Sequence, residues 1–183
     1  MTRVIAGMTM SLDGFVNDRS GSVALLYPDF EAIVQSEELQ EAIRTTGAVV
    51  MGRRSYEMGN GDFSGYEFQA PIFVLTHQAP EQVAKGENEN LTFTFVTEGI
   101  VQAINQAKVA AGDKDVTVVG GASTIRQCIA AGLVDELHLD LRSVLLSDGL
   151  RLFDRSSAPP IELESIDERH SPGVTHLRYR VPK

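Results

Sequence analysis

The order of apolar patterns predicts a three-layer α/β fold: a mostly parallel sheet, helices on both faces, and an antiparallel hairpin at the C-terminal end. Three observations carry this. Short apolar runs recur at 4–10, 48–51, 72–75, 91–96 and 116–119. Helix-period segments separate most of them. From Asp135 onward strands follow strands, with Leu137, Leu139 and Leu141 alternating with Glu136, His138, Asp140 and Arg142.

The elements read in order as follows. The first strand spans 4–10. Residues 31–45 carry Leu39, Ala42 and Ile43 at helical spacing, with Ser36 as an internal N-cap and Gly47 as the stop. The buried strand 48–51 runs through Gly52 into a short helix at 53–58. Pro71 opens the strand 72–75. Residues 79–90, with Pro80, Gly86 and a Glu-Asn-Glu-Asn tract, form a surface loop before the strand 91–96. Thr97 caps a helix that ends at Ala111 and Gly112. The strand 116–119 meets Gly120-Gly121, and a helix at 123–131 stops at Gly132. Strands at 161–168 and 174–181 are joined by Ser171-Pro172-Gly173.

The chain has 183 residues, the length of one domain, and we expect residues 1–183 to form one. Its 16 Lys+Arg against 25 Asp+Glu give a net charge of -9, which disfavours a general nucleic-acid surface. Cys128 is the only cysteine, so an intrachain disulfide is excluded. His77, His138, His170 and His176 lack metal-ligand spacing, and no metal is expected. No run reaches membrane-span length, and the N-terminus lacks the pattern of a signal peptide. A cytoplasmic protein is the expectation.

Ligands of parallel α/β sheets bind at the carboxyl ends of the strands. Three such ends carry candidate chemistry. After Val119, the segment Gly120-Gly121-Ala122-Ser123-Thr124 joins two glycines to a helix start, a cradle for a pyrophosphate or a plain capped turn. After Met51, Gly52 is followed by Arg53, Arg54 and Ser55. Two cations at a helix start oppose the macrodipole, which suggests an anion between them unless both point to solvent. After Leu75, Thr76 and His77 offer a hydroxyl and an imidazole, or only a loop.

The segment 49–57 and the run Val118-Val119-Gly120-Gly121 resemble dihydrofolate reductases. Residues 8–14, 131–139 and 144–149 resemble the reductase domain of the bacterial bifunctional deaminase–reductase of riboflavin biosynthesis. The resemblance runs from Val4 to about Arg180. It implies a dihydrofolate reductase-like fold of about eight strands and an NADPH site. Gly120, Gly121, Ala122, Ser123 and Thr124 would hold the pyrophosphate. Gly52, Arg53, Arg54 and Ser55 would meet the adenosine phosphates, with Thr76 and His77 near the 2′-phosphate. Ala6 and residues 11–14 would border the nicotinamide. It also implies a homodimer and a small heterocyclic substrate. Two departures stand out: the zinc deaminase motif is absent, and there is no tryptophan.

Hydride transfer to a heterocycle requires a proton source. Asp13, Asp29 and Glu31 are the candidates, each with a structural alternative as turn former, N-cap or first-turn acid. Tyr66 and Phe68 either wall the pocket or pack in the core. The polar residues from Glu136 to Arg142 face solvent or a dimer partner, and Cys128 packs in the core. The leading function is reduction of a pyrimidine or pteridine, at best the 5-amino-6-(5-phosphoribosylamino)uracil step of riboflavin synthesis. The alternatives are dihydrofolate reduction and a catalytically silent nucleotide-binding protein.

Overall fold

A strand that is apolar on both faces must be covered on both, and β3 (Thr46–Gly52) is such a strand. Ala48 and Val50 pack into one core cluster, Val49 and Met51 into another, and all four are buried. The structure, a computed structural model, describes residues 2–154 and 159–183. β3 lies within an eight-stranded sheet. The sheet's other strands are β1 (Val4–Ser11), β4 (Ile72–Leu75), β5 (Phe93–Val96), β6 (Asp115–Val118), β7 (Glu136–Arg142), β9 (Glu164–Ser171) and β10 (Val174–Arg180). The order is β5-β4-β3-β6-β1-β7-β10-β9. The pairs from β5 to β7 are parallel, and β10 runs antiparallel to both β7 and β9.

One face is covered by α4 (Ile100–Ala111) and α5 (Ala122–Ala130). α4 buries Ala103, Ile104, Ala107 and Ala111, and α5 buries Ala122, Thr124, Ile125 and Cys128. Burial pushes the Cys128 thiol up to about 12, as a core cysteine requires. The opposite face packs against α2 (Glu37–Thr45), α3 (Arg53–Glu57) and the chain after it. There Tyr56 stacks on Phe63 at 5.5 Å and meets Phe93 and Phe95 edge-on at 5.4 and 5.3 Å. None of these helices is long and apolar enough to cross a membrane.

Several local expectations are corrected. The helix expected over 31–45 is two, α1 (Phe30–Val34) and α2. Ser36 divides them: its hydroxyl donates to the Ile33 carbonyl at 2.7 Å and accepts from the Leu39 N–H at 3.3 Å. Gly47 does not stop a helix. It lies inside β3 at an irregularity in the pairing with β6, where a Cβ would sit 2.5 Å from the Ala111 carbonyl oxygen. Thr97 does not cap α4; Gly99 does, at φ +99°. β9 begins at Glu164, later than the pattern suggested. β2 (Phe15–Asn17) and β8 (Leu150–Arg151) form a separate antiparallel pair, too short for any period to register.

Gly47→Val should lower the stability measured by urea unfolding by roughly 1–3 kcal/mol, because the new side chain must displace the end of α4. The slope of the unfolding transition should be unchanged.

Candidate active-site cleft

β3 and β6 are parallel neighbours, with Val50 opposite Val118, so both release the chain at the same sheet edge. The backbones stay joined beyond the end of β6. Val119 N–H donates to the Val50 carbonyl at 3.0 Å, and Gly52 N–H donates to the Gly120 carbonyl at 2.8 Å. The Gly120–Gly121 peptide is cis. Gly120 also has φ +125°, a conformation that side-chain-bearing residues rarely adopt.

A Cβ on Gly52 would lie 2.5 Å from Thr124 Oγ1. One on Gly120 would meet Met8 Cε at 3.2 Å and Ser55 Oγ at 3.3 Å. The two glycine-bearing strand ends, Ser55 and the first turn of α5 therefore share one small volume. Gly121 is the N-cap of α5 and offers no capping side chain. The first intrahelical bond is Ile125 N–H to the Gly121 carbonyl at 3.1 Å. The N–H groups of Ala122, Ser123 and Thr124 precede it, at the positive end of the helix. That is a ready anion cradle.

Arg53 and Arg54 open α3 and are exposed. Arg53 Nε pairs with Glu57 at 2.7 Å, a solvent-screened contact that leaves the guanidinium available to a stronger partner. Thr76 is buried and donates to the Gln78 carbonyl at 2.8 Å, while His77 is exposed. Gly52, Arg53, Arg54, Ser55, Thr76 and His77 line one open cleft with Gly121, Ala122, Ser123 and Thr124. Ala6 does not line it: its methyl packs with Val4 and Val118 in the core under α5, and Gly7, Met8 and Thr9 border the cleft instead.

The cleft holds about 1840 Å³, more than one small ligand needs. Beyond the cradle it follows the sheet face opposite α4 and α5, past β1 and under α1, to β7 and β10. Tyr66 and Phe68 belong to both the core cluster and the cleft wall. Glu136, His138, Asp140 and Arg142 line the cleft rather than an open surface. His176 on β10 joins them: Asp140 accepts its Nδ1–H at 2.6 Å and holds the imidazole above its ordinary value.

The three acids singled out by sequence lie in different settings. Asp13 accepts from the Ser11 hydroxyl at 2.6 Å and from Leu146 and Ser147 N–H at 3.1 and 2.8 Å. The Ser11 bond first, then the backbone donors, hold it below the usual carboxylate range, and it is not on the cleft lining. Asp29 lines the cleft but caps α1, accepting from Ala32 N–H at 3.0 Å. Glu31 is exposed in the first turn of α1, away from the lining.

The residue that sequence reasoning missed is Glu67. It lines the cleft between Tyr66 and Phe68, and burial pushes its carboxyl above the usual range. It is the one carboxyl so raised among the described residues. The phenols of Tyr27 and Tyr66, also on the lining, are pushed up by burial as well. The only signal in the sequence was its position between two aromatic residues.

The RibD C-terminal domain family matches residues 2–171. The uncharacterized protein YyaP of Bacillus subtilis (strain 168) is 27% identical over 185 residues, covering 97% of this chain and 94% of that one. The diaminohydroxyphosphoribosylaminopyrimidine deaminase/5-amino-6-(5-phosphoribosylamino)uracil reductase of Thermotoga maritima superposes with a TM-score of 0.75 at 15% identity, covering 99% of this chain and 57% of that chain. Dihydrofolate reductase of Enterococcus faecalis, complexed with NADP(H) and RAB-propyl, superposes with a TM-score of 0.62 at 16% identity, over 99% of this chain and 97% of that one. The fold is dihydrofolate reductase-like, as the resemblance in sequence implied.

The raised carboxyl of Glu67 makes a prediction with a definite sign. Above the unfolded glutamate value of about 4.3, the folded state keeps a proton that the unfolded chain has lost, so stability falls as pH rises through that window. Glu67→Gln should therefore withstand more urea than the natural protein at about pH 7, with the gap closing at about pH 3.5.

Proposed function

This chain belongs to the RibD C-terminal domain family, and on that footing we propose that it is an NADPH-dependent reductase of a pyrimidine- or pteridine-like heterocycle. The observation that carries the reading is the convergence of Gly52, Gly120 and Gly121 on the start of α5. Side chains at these positions would fill the space where a pyrophosphate approaches backbone N–H groups. Gly121 to Thr124 would hold the pyrophosphate, supported by Gly120. Gly52 would leave room for it, and Ser55 lies within reach. Arg53 and Arg54 would pair with the adenosine phosphates, with Thr76 and His77 at the 2′-phosphate end. The doubly charged 2′-phosphate favours NADPH over NADH where two guanidiniums are at hand.

When bound, NADPH supplies the hydride. The chain's own tasks are to orient the heterocycle between α1 and β1, to exclude water and to deliver a proton. Glu67 suits the last task better than Asp13: burial pushes its carboxyl toward the protonated form that can deliver a proton, whereas the donors around Asp13 hold its carboxyl below the usual range. Within this class the finer reading is 5-amino-6-(5-phosphoribosylamino)uracil reductase-type chemistry, which the family supports. Dihydrofolate-type chemistry fits less well, because Asp29 is committed to capping and Glu31 lies off the cleft. A homodimer, on the resemblance alone, completes the reading.

Titration followed by the fluorescence of the reduced nicotinamide should show NADPH binding more tightly than NADH. The Arg53→Ala/Arg54→Ala variant should weaken NADPH by about tenfold or more, the loss expected for charge-assisted contacts. A folded protein that binds neither cofactor would overturn the reading. With a substrate in hand, Glu67→Gln should lower kcat by about 10²–10⁴-fold and leave NADPH affinity unchanged.

A further inference from the structure

β1 carries a glycine in its interior, Gly7. A glycine inside a strand weakens it and marks a bulge, a sharp bend or the close approach of another backbone or a ligand. β1 pairs with β7 in unbroken register from Ile5 opposite Glu136 to Ser11 opposite Arg142, so Gly7 is no bulge. It is not one of the glycines with positive φ. Apart from its chain neighbours, no atom of the described residues lies within 4 Å of where its Cβ would be, so no other backbone approaches. Gly7 is nevertheless half-buried, on the lining of the cleft. The space over it is therefore open and walled by the cleft.

Side chains alternate along a strand, so Ile5, Gly7 and Thr9 share the cleft face of β1. Their partners on β7, Glu136, His138 and Asp140, stand alongside. On the other side β6 pairs with β1 only as far as Val118 opposite Ala6. At Gly7 that neighbour has already left for the glycine cradle, and a Cβ on Gly120 would meet Met8 Cε at 3.2 Å. The open strip and the cradle thus adjoin. Tyr27 reaches the strip at Thr9. The Leu26 and Tyr27 N–H groups both donate to the Val23 carbonyl, at 2.9 and 3.1 Å, and Leu26 is fully buried, so the turn that carries Tyr27 is anchored. Tyr27 itself is half-buried on the cleft lining. The Thr9 hydroxyl donates toward its phenol oxygen, and Glu67 and Tyr66 lie close by. Burial keeps the phenol neutral. With Thr9 donating to its oxygen, the phenol O–H is left to donate onward.

We propose that the strip over Gly7 seats the flat ring of the substrate and that Tyr27 orients it, the phenol donating to an oxo group of the ring beside Glu67. With no side chain at position 7, a planar ring can lie against the strand itself. The seat stands on the geometry of β1 and Tyr27; that its occupant is the reductase substrate rests on the function proposed above. The two are separable because ring binding is testable without NADPH.

The test uses the full-length apo protein with ring-labelled tyrosine. The probes are 6-aminouracil and 2,4,6-triaminopyrimidine, the same ring with and without oxo groups. Each is titrated while the tyrosine resonances are followed, with Tyr27→Phe assigning the Tyr27 signal. 6-Aminouracil should shift that signal saturably, and triaminopyrimidine should bind about tenfold more weakly, the loss of one hydrogen bond to the ring. Tyr27→Phe, followed by calorimetry, should weaken 6-aminouracil by a similar factor and leave NADPH affinity unchanged. Gly7→Ala and Gly7→Val should weaken it progressively, about tenfold or more for Val, as the side chain fills the seat. Both should withstand at least as much urea as the natural protein, because the added atoms displace nothing. A Tyr27 signal indifferent to 6-aminouracil would overturn the proposal. So would affinity unchanged in Gly7→Val, or loss of the fold in Gly7→Ala, which would show that the space is not free. Tighter binding of triaminopyrimidine would also overturn it, since a carboxylate and not the phenol would then read the ring. A protein that ignores NADPH and still seats 6-aminouracil over Gly7 would retain the seat and discard the reductase.

Discussion

The hydrogen bond from Gly52 N–H to the Gly120 carbonyl, 2.8 Å long, holds together the part of the molecule on which the cleft depends. It extends the β3–β6 pairing past the end of β6 and brings two glycine-bearing segments against α5. Both positions favour glycine: a Cβ on Gly52 would lie 2.5 Å from Thr124 Oγ1, and Gly120 has φ +125°. Everything at the cradle follows from that approach. The start of α5 is left without a capping side chain, Ser55 comes within contact distance of Gly120, and the arginines of α3 stand at the rim. The opposition of Arg53 and Arg54 to their own helix dipole is a local cost.

The two faces of the sheet are unequally covered, and that inequality makes the cleft. α4 and α5 close one face with small and branched residues in close contact. On the other, α2, α3 and the aromatic cluster cover β3, β4 and β5, while β1, β7 and β10 continue beyond them. The polar residues of β7 therefore line a long concavity. Some are neutralised within the chain, as Arg178 is by Glu41 at 2.9 Å. Glu67, Arg142 and the His176–Asp140 pair line the same concavity.

Acids illustrate how environment sets role. Asp13, Asp29 and Glu67 have the same functional group. Asp13 is surrounded by donors and stays ionised as a clamp between the end of β1 and the backbone at Leu146 and Ser147. Asp29 satisfies an orphan N–H of α1. Glu67 lies between Tyr66 and Phe68, where burial pushes its carboxyl above the usual range. Of the three, only the last environment favours the protonated form.

The sequence by itself determined the sheet-and-helix alternation, the antiparallel end, the three strand ends and the core role of Cys128. These rest on periods of two and 3.6 residues and on turn chemistry, which are local and survive in one dimension. Its errors were local as well. Ser36 both ended one helix and began another, and Gly47 read as a stop although it serves a close approach to α4. The tertiary structure alone decided that Ala6 faces the core while Gly7 borders the cleft, that Glu67 is half-buried between Tyr66 and Phe68, and that the Arg142 guanidinium lies beside Gly173. Such facts depend on which distant segments share a volume, and desolvation and pairing act only once they do.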